Sequence, residues 1–306
     1  MPYGIIKKST GSWYEIWTEN HKTVLGRIKG KFRLEDKKFT NPIAVGDRVE
    51  YKEEDNPGNV TIDKLLPRNN YIIRKASNLS RQYHVVAANI DQLLILATVA
   101  WPRTSQGFID RLLVTAEAYH IPAVIVFNKS DIYTPGIMQM QEELASMYSH
   151  IGYKVFTVSA LKGDLAEIKE QIHNKTTLIS GHSGTGKTTL LNALDPDLQL
   201  KTANISEFSL KGKHTTTFAE MHILDDKTYV IDTPGIKEFG LSDMKKEEIS
   251  HLFPEMRSLL GQCKFNNCLH VNEPGCVVIE AVEKGEIYPQ RYQSYLSILS
   301  EEETHR

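Results

Sequence analysis

The stretch GHSGTGKTTL, from Gly181 to Leu190, decides how this chain is interpreted. It follows the apolar run TTLIS and fits G-x-x-x-x-G-K-[ST], the pattern of a phosphate-binding loop between a strand and a helix. In such a loop the backbone N–H groups from about Ser183 to Thr188, with the positive end of the helix, attract phosphates. We expect Lys187 to pair with the β- and γ-phosphates of a nucleotide and the Thr188 hydroxyl to bind Mg²⁺.

The predicted phosphate site consists of nine consecutive residues: Gly181, His182, Ser183, Gly184, Thr185, Gly186, Lys187, Thr188 and Thr189. His182 belongs to it through its position in the loop, whereas its imidazole need not face the phosphates and is expected to be an ordinary surface or packing group. A phosphate loop does not select a base. A second element must therefore supply base recognition.

The sequence NKSD, from Asn128 to Asp131, lies about fifty residues before the phosphate loop and follows the apolar run AVIVF. A carboxylate at Asp131 can accept two hydrogen bonds from the N1–H and the exocyclic amine of guanine. Adenine offers no matching pair of donors, so such a site discriminates strongly between the two bases. We expect Asn128 to bind the guanine edge and the loop wall, and the stem of Lys129 to cover the ring.

Two further loops follow predicted strands. SAL, residues 159–161, comes after KVFTV and brings Ser159 to the same edge, where the Ala160 N–H can reach the guanine oxygen. DTPG comes after TYVI, and we expect Asp232 to hold Mg²⁺ through water while the Gly235 N–H senses the γ-phosphate.

The polar segment KGKHTTTF lies upstream of DTPG and contains Thr215, Thr216 and Thr217. We expect one of these hydroxyls to complete the Mg²⁺ shell in the GTP state, with Thr216 as the working candidate; the pattern does not decide among the three. The alternative explanation is the start of a threonine-rich β-strand.

The order NKSD, SAL, GHSGTGKT, HTTT and DTPG resembles that of the circularly permuted GTPases. With a β-rich leading region and a Cys/His cluster after DTPG, nearly the whole chain resembles the bacterial ribosome small subunit-dependent GTPase A family. The resemblance implies a GTP hydrolase acting in late maturation of the small (30S) ribosomal subunit, stimulated by that subunit and binding its rRNA. The implied partners are the small ribosomal subunit, its rRNA, and GTP or GDP.

Catalysis requires a group that orients water, and many GTPases use a glutamine after the D-x-x-G element. Here that position is Ile236, which cannot hydrogen-bond to water. We expect His214 to orient or deprotonate the water near neutral pH, and the resemblance also implies a catalytic histidine in HTTT. The alternative is a histidine used for folding or RNA contact. We further expect slow intrinsic turnover, with the subunit ordering the His214 segment.

All three cysteines of the chain fall within CKFNNCLHVNEPGC. With one histidine they give the spacing Cys-x4-Cys-x-His-x5-Cys, which is a complete tetrahedral set for Zn²⁺ without an open position. We expect one structural zinc ion; the alternative is a group of small buried cysteines. The predicted ligands are Cys263, Cys268, His270 and Cys276.

The contents of 41% hydrophobic and 24% charged residues are those of a soluble globular protein, and the length of 306 residues suits two or three domains. Residues 1–75 carry 15 basic and 10 acidic residues, while the whole chain has a net charge of −2. A basic N-terminal region is compatible with RNA binding and equally with an ordinary solvated surface. The first ten residues show no apolar signal segment, and the clustered cysteines indicate a reduced compartment. We expect a cytoplasmic monomer without membrane contact.

The chain is predicted to be a multi-domain α/β protein. Residues 1–70 show short strands punctuated by turns, which favours an OB-fold-like β-barrel or another small barrel. Residues 71–240 alternate strands and helices, which is typical of a mostly parallel sheet with flanking helices, here the circularly permuted GTPase domain. Residues 241–306 form the expected small helical zinc-binding domain.

Two other functions remain open from the sequence. An ATP-using P-loop kinase or ATPase would share the phosphate loop, and NKSD opposes it. An RNA-binding adaptor that holds GTP as a structural ligand is compatible with Ile236, and turnover that falls on His214→Ala would exclude it. We also expect nucleotide state to influence the zinc-binding domain, because that domain follows DTPG directly.

Overall fold

The first strands close into a barrel. The computed structural model describes residues 1–28, 39–54, 58–75, 83–163, 165–201, 219–233 and 244–304. The barrel strands are β1 (Tyr3–Ser9), β2 (Tyr14–Thr18), β3 (Thr23–Ile28), β4 (Arg48–Glu53) and β5 (Asn59–Leu65). They pair in the order β1-β2-β3-β5-β4, and β4 pairs back with β1. Alternate side chains such as Ile6, Ile16 and Ile62 fill the interior, because successive side chains of a strand point to opposite faces. The predicted small β-barrel is confirmed, and it has five strands among the described residues.

A two-stranded sheet that the sequence analysis did not predict connects the barrel to the rest of the chain. It consists of β6 (Tyr71–Lys75) and β7 (Tyr83–Ala88). Just before it, Arg68 donates to both carboxylate oxygens of the fully buried Asp47 at 2.7 Å. This charge-assisted bidentate pair attaches the loop before β4 to the connecting segment.

The second part of the chain builds a parallel sheet. Its elements are β8 (Gln92–Ala97), α1 (Gln106–Ala118), β9 (Ala123–Phe127), α2 (Pro135–Ile151), β10 (Lys154–Thr157), α3 (Ala166–Ile172), β11 (Thr176–Ser180), α4 (Lys187–Leu194), β12 (Glu220–Ile223) and β13 (Tyr229–Asp232). The strand order is β10-β9-β8-β11-β13-β12, and every pair is parallel except β12 with β13. The chain therefore enters this sheet at β8, a central strand.

Helices cover both faces of this sheet. The apolar run LLILATVAW, residues 93–101, predicts a buried strand, and β8 is buried along its whole length. Leu93 and Ile95 pack with α1 and α2 on one face, and Leu94 and Leu96 pack with α3 and α4 on the other. Burial on both faces explains why the sequence of this strand is a continuous apolar run. Because β8, β9, β11 and β13 run parallel to one another, their carboxyl ends lie together at one edge of the sheet.

The barrel and the parallel sheet are joined edge to edge. Lys8 of β1 pairs with Glu220 of β12, and their side chains form an ion pair of 2.9 Å. Because of this pairing, the strands that the structure describes in both regions belong to a single eleven-stranded sheet. β12 was not among the predicted strands.

The last described part of the chain is helical, with a loop region between its second and third helices. Its helices are α5 (Lys246–Ile249), α6 (Pro254–Arg257), α7 (Val277–Glu283) and α8 (Pro289–Thr304). They share an apolar cluster that includes Val114 of α1. Arg291 of α8 is fully buried and pairs with Asp110 of α1 and Glu255 of α6. The helical region thus packs on the parallel sheet through α1. Among the described residues, no helix combines the length and apolar character needed to cross a membrane.

Candidate nucleotide and metal sites

The phosphate loop lies between β11 and α4, as predicted. Gly184 and Gly186 have φ values of 82° and 98°, a region that side chains other than glycine rarely adopt. A Cβ atom added to Gly186 would lie 2.4 Å from Nδ2 of Asn128, so the close approach of the two loops also requires glycine there. Ser183 and Gly184 are exposed, which leaves this part of the loop accessible to a ligand.

Lys187 stands at the first position of α4 and points back into the loop. Its ammonium donates to the carbonyl oxygens of Gly181 at 2.6 Å and of His182 at 3.0 Å. Burial lowers its pKa, and the nearby Asp232 opposes that shift. Thr188 and Thr189 follow in the same helical turn, so the amine and the hydroxyls lie at the N-terminal end of the helix.

The imidazole of His182 is a packing group. Its ring stacks on that of Phe108 in α1 with 3.8 Å between the ring centroids. The carbonyl of His182 accepts hydrogen bonds from the hydroxyl of Thr185 as well as from Lys187. The loop is therefore fixed in shape by its own backbone and by α1.

Asp232 ends β13 beside the phosphate loop, because β13 pairs with β11 in the register Ile179 to Asp232. Its Oδ1 atom is buried and has no hydrogen-bond partner within the described part of the chain. Burial raises the pKa of this carboxyl, and the ammonium of Lys187 lowers it. A buried carboxylate oxygen without a partner, near the start of α4, is the type of ligand that Mg²⁺ prefers, directly or through water.

Asn128 connects three loops. It is buried, its Nδ2 donates to the carbonyl of Thr185 at 2.8 Å, and its Oδ1 accepts from the Ala160 N–H at 2.9 Å. NKSD, the phosphate loop and SAL consequently meet at the same sheet edge. The expected contact of Asn128 with the loop wall is present in this geometry. Both amide atoms of Asn128 are already hydrogen-bonded, so the second expected contact, to guanine, would have to share one of them. The Ala160 N–H is likewise already hydrogen-bonded, to Asn128.

Asp131 lies in a short 3-10 helix, Ser130–Ile132, directly after β9. Its Oδ1 accepts a hydrogen bond from the Ser159 hydroxyl at 2.7 Å, which orients the carboxylate from the SAL side. Lys129 has a left-handed backbone with φ of 68°, and its ammonium donates to the carbonyl of Trp101 at 2.7 Å. Burial lowers the pKa of Lys129, and Asp131 raises it.

Several predicted site residues lie outside the described part of the chain. These are the catalytic candidate His214, the three threonines Thr215, Thr216 and Thr217, the backbone of Gly235, and Ile236. Their roles stay predictions. β12 begins two residues after the segment that contains His214 and pairs with β13, which ends in Asp232.

The Cys/His cluster comes together between α6 and α7. The ligand atoms of Cys263, Cys268, His270 and Cys276 all lie within 4.8 Å of one another. Nδ1 of His270 is 3.5 Å from the Cys263 sulfur and 3.3 Å from the Cys276 sulfur, and those two sulfurs are 3.9 Å apart. Such separations match the edges of a tetrahedron with bonds of about 2.0–2.3 Å, as for zinc. The residues fit a closed, structural metal site.

Three residues that the sequence analysis missed support this cluster. The Glu273 carboxylate accepts backbone N–H bonds from Leu269 and Val271 at 2.7 and 2.8 Å. The hydroxyls of Tyr292 and Tyr295 in α8 donate to the carbonyls of His270 and Leu269. The position of Glu273 between the last two ligands could have indicated its role, whereas nothing in the sequence around the tyrosines does.

The chain is similar to known proteins over its full length. Residues 65–242 match the family model described as RsgA GTPase, and residues 3–60 match that of the RsgA N-terminal domain. The chain is 52% identical to the small ribosomal subunit biogenesis GTPase RsgA of Flavobacterium psychrophilum, with coverage of 99% of this chain and 94% of the relative. It is 49% identical to the protein of that name in Bacteroides fragilis, with coverage of 98% and 97%.

Solved structures show the same architecture. The crystal structure of YjeQ from Thermotoga maritima superposes with a TM-score of 0.80 at 35% identity, with coverage of 100% of this chain and 99% of that one. The structure of YloQ, described as a circularly permuted GTPase, superposes with a TM-score of 0.75 at 30% identity, with coverage of 100% and 96%. The predicted permuted GTPase fold is therefore confirmed.

Proposed function

Because the chain belongs to the RsgA GTPase family, we propose that it uses GTP hydrolysis in late maturation of the small (30S) ribosomal subunit. Membership in this family makes the chain a GTP-hydrolysing enzyme. The observation that supports the proposal best is the double hydrogen bond of Asn128, which joins the base loop to the phosphate loop and to SAL. A nucleotide can bind with both ends recognised only if these loops meet.

The phosphates bind to the backbone N–H groups of residues 183–188 and to the Lys187 ammonium. On binding, this ammonium donates to phosphate oxygens in place of the carbonyl oxygens of the loop. Guanine is recognised by Asp131, whose carboxylate Ser159 orients at 2.7 Å. The stem of Lys129 covers the base. Adenine has no pair of donors that matches this carboxylate, so GTP is preferred over ATP.

Mg²⁺ accompanies the nucleotide, held by the Thr188 hydroxyl, by Asp232 and by one of the threonines after His214, with Thr216 as our candidate. The Oδ1 atom of Asp232, which has no hydrogen-bond partner among the residues that the structure describes, supports this assignment. When bound, the ion neutralises charge on the β- and γ-phosphate oxygens. The Gly235 N–H completes the γ-phosphate site.

We assign orientation of the attacking water to His214, since Ile236 cannot do it. An imidazole near neutral pH can accept a proton from water or fix its orientation. Intrinsic turnover is slow in this proposal, and binding to the ribosomal subunit orders the His214 segment. Comparison of His214→Ala with His120→Ala, at an exposed position outside the site, tests the assignment, because only the first substitution should abolish turnover while GDP affinity is retained.

The remaining parts of the proposal concern architecture and partners. Residues 1–70 form the barrel that contacts rRNA, residues 71–240 the GTPase domain, and residues 241–306 the zinc-binding domain. One Zn²⁺, bound by the Cys3His cluster, stabilises the last of these. The protein acts as a cytoplasmic monomer, and nucleotide state alters its affinity for the subunit.

The decisive experiment is steady-state hydrolysis of GTP and ATP by the purified protein, with and without small ribosomal subunits. We expect slow GTP turnover that rises strongly with small subunits and does not rise with large subunits, and no turnover of ATP. Equal rates with and without small subunits would contradict the proposed partner. Turnover of ATP at the rate of GTP would contradict base selection by NKSD.

A further inference from the structure

The loop between β8 and α1 carries a large aromatic side chain for which the site described above has no role. We call residues 99–103 the tryptophan loop. Trp101 in this loop is 55% exposed, which is unusual for a tryptophan beside buried strands. Its position relative to the nucleotide loops suggests what it contacts.

The tryptophan loop has a fixed shape. Thr98 and Thr104 close its base with two hydrogen bonds: the Thr104 N–H donates to the Thr98 carbonyl at 2.8 Å, and the Thr98 N–H to the Thr104 hydroxyl at 3.0 Å. The Thr98 hydroxyl donates to the carbonyl of Pro102. Both threonines are buried. A loop held in this way presents its exposed indole without a large ordering cost on binding.

The tryptophan loop lies between the base-binding and phosphate-binding loops. On one side the Trp101 carbonyl accepts the hydrogen bond of the Lys129 ammonium at 2.7 Å. On the other side Pro102 packs against the phosphate loop, since a Cβ atom added to Gly184 would lie 3.3 Å from its Cδ. The sugar and base of a nucleotide bound by both loops therefore lie next to residues 101 and 102.

The backbone and the ring of Trp101 are both held near NKSD. Trp101 has φ of 48° and its partner Lys129 has φ of 68°, a region rarely adopted by bulky residues and typical of functional sites. The indole lies 6.3 Å, centroid to centroid, from the ring of Tyr133. The Tyr133 hydroxyl in turn accepts from the Val99 N–H at 3.1 Å and donates to the Asn128 carbonyl at 3.0 Å.

We propose that the indole of Trp101 packs against the guanosine part of the bound nucleotide and is a further determinant of nucleotide affinity. An indole has a large apolar surface that packs on a base or a sugar, and such contacts do not depend on the substituents of the base. Selectivity for guanine stays with Asp131, and Trp101 adds affinity. The inference rests on the proposed nucleotide site.

The test uses the full chain and GDP, with affinity measured by calorimetry and by intrinsic fluorescence. The chain has three tryptophans, and Trp13, which is 40% exposed in the barrel region, provides a matched control. We expect Trp101→Ala to weaken GDP binding about tenfold, the typical effect of losing one base–aromatic contact. Trp101→Phe should stay within about threefold of the parent, since a smaller ring retains part of that contact. The change in tryptophan fluorescence on GDP binding should vanish in Trp101→Phe and persist in Trp13→Phe.

Three outcomes would overturn the inference. One is Trp101→Ala binding GDP as tightly as the parent protein, and another is Trp101→Phe retaining the full fluorescence change. Equal loss of affinity in the Ala and Phe variants would also contradict it, because it would indicate a backbone effect and not a ring contact. Failure of the parent protein to bind GDP would instead contradict the proposed function, so the two failures are distinguishable.

Discussion

The guanidinium of Arg291 in α8 donates to the carboxylate of Asp110 in α1 across 2.6 Å, and both side chains are completely buried. The two residues are 181 positions apart and belong to different regions of the chain. Tyr148 of α2 donates to the same carboxylate oxygen at 2.8 Å, and Arg291 also pairs with Glu255. This buried network attaches the helical region to α1 and α2, the helices that follow the tryptophan loop and NKSD.

We predict that Arg291→Met destabilises the protein by about 3–5 kcal/mol, because it leaves the buried carboxylate of Asp110 without its charge partner. After the substitution Asp110 keeps the hydrogen bond from the Tyr148 hydroxyl, but a neutral donor does not replace the charge of the guanidinium. The measurement is the urea-unfolding midpoint. Arg257→Met is the matched control: Arg257 also pairs across to α1, through Glu117, but its side chain is 47% exposed, so its loss should cost under about 1 kcal/mol. Equal midpoints for the two variants would contradict the prediction.

Asp131→Asn should exchange guanine selectivity for xanthine selectivity. An amide cannot accept both donors of guanine, but it can accept from the N1–H and donate to the C2 oxygen of xanthine. Loss of charge-assisted hydrogen bonds costs about 3 kcal/mol, or more than a hundredfold in GDP affinity. Competition titrations with GDP, XDP and ADP measure the change.

Ser159→Ala serves as the companion variant for Asp131→Asn. It removes the hydroxyl that orients the Asp131 carboxylate and leaves the carboxylate itself. GDP affinity should therefore fall only about tenfold, with guanine still preferred. Undiminished GDP binding by Asp131→Asn would show that the carboxylate does not recognise the guanine base.

The purified protein should contain one zinc ion per chain, measured by elemental analysis. Cys268→Ser should abolish zinc retention, because a structural site requires all four ligands. Glu273→Gln should weaken zinc binding about 10- to 100-fold, since its carboxylate orients the ligand loop through backbone N–H bonds. His251→Gln lies outside the cluster and should retain the metal. Full zinc content in Cys268→Ser would exclude the assigned ligand set.

Stability should fall as the pH decreases from about 6.5 to 4, in part because of His84. Burial, with a contribution from Arg74, lowers the pKa of His84 from 6.5 to about 4 in the folded protein. In that window the unfolded chain binds a proton that the folded chain does not, so the stabilisation present above pH 6.5 is lost as the pH falls. His84→Gln should therefore reduce the decrease in urea midpoint between pH 7 and 4.5, whereas the exposed His120→Gln should not. Identical pH profiles for all three proteins would contradict the prediction.

The sequence predicted those parts of the fold that depend on local pattern. A buried run predicted β8, a glycine-rich run before a helix predicted the phosphate loop, and cysteine spacing predicted the metal cluster. Each of these patterns arises from constraints within a few neighbouring residues, such as the positive φ of Gly184 and Gly186.

Contacts between distant segments could not be predicted in this way. The pairing of Lys8 with Glu220, the sheet of β6 and β7, and the network of Arg291 depend on which surfaces meet in the folded chain. The hydrogen bonds of Asn128 are a similar case. Its residue type indicated a nucleotide loop, but only the folded arrangement shows both amide atoms bonded to other loops.

The position of β8 in the middle of the sheet has a consequence for synthesis of the protein. During translation, β8, β9 and β10 with α1 and α2 emerge before the phosphate loop has been made. At about 5–20 residues per second, the roughly fifty residues between NKSD and the phosphate loop correspond to a delay of about 3–10 seconds. The half of the site that selects the base can therefore assemble on the nascent chain first, and the half that binds the phosphates then docks on a strand that is already in place.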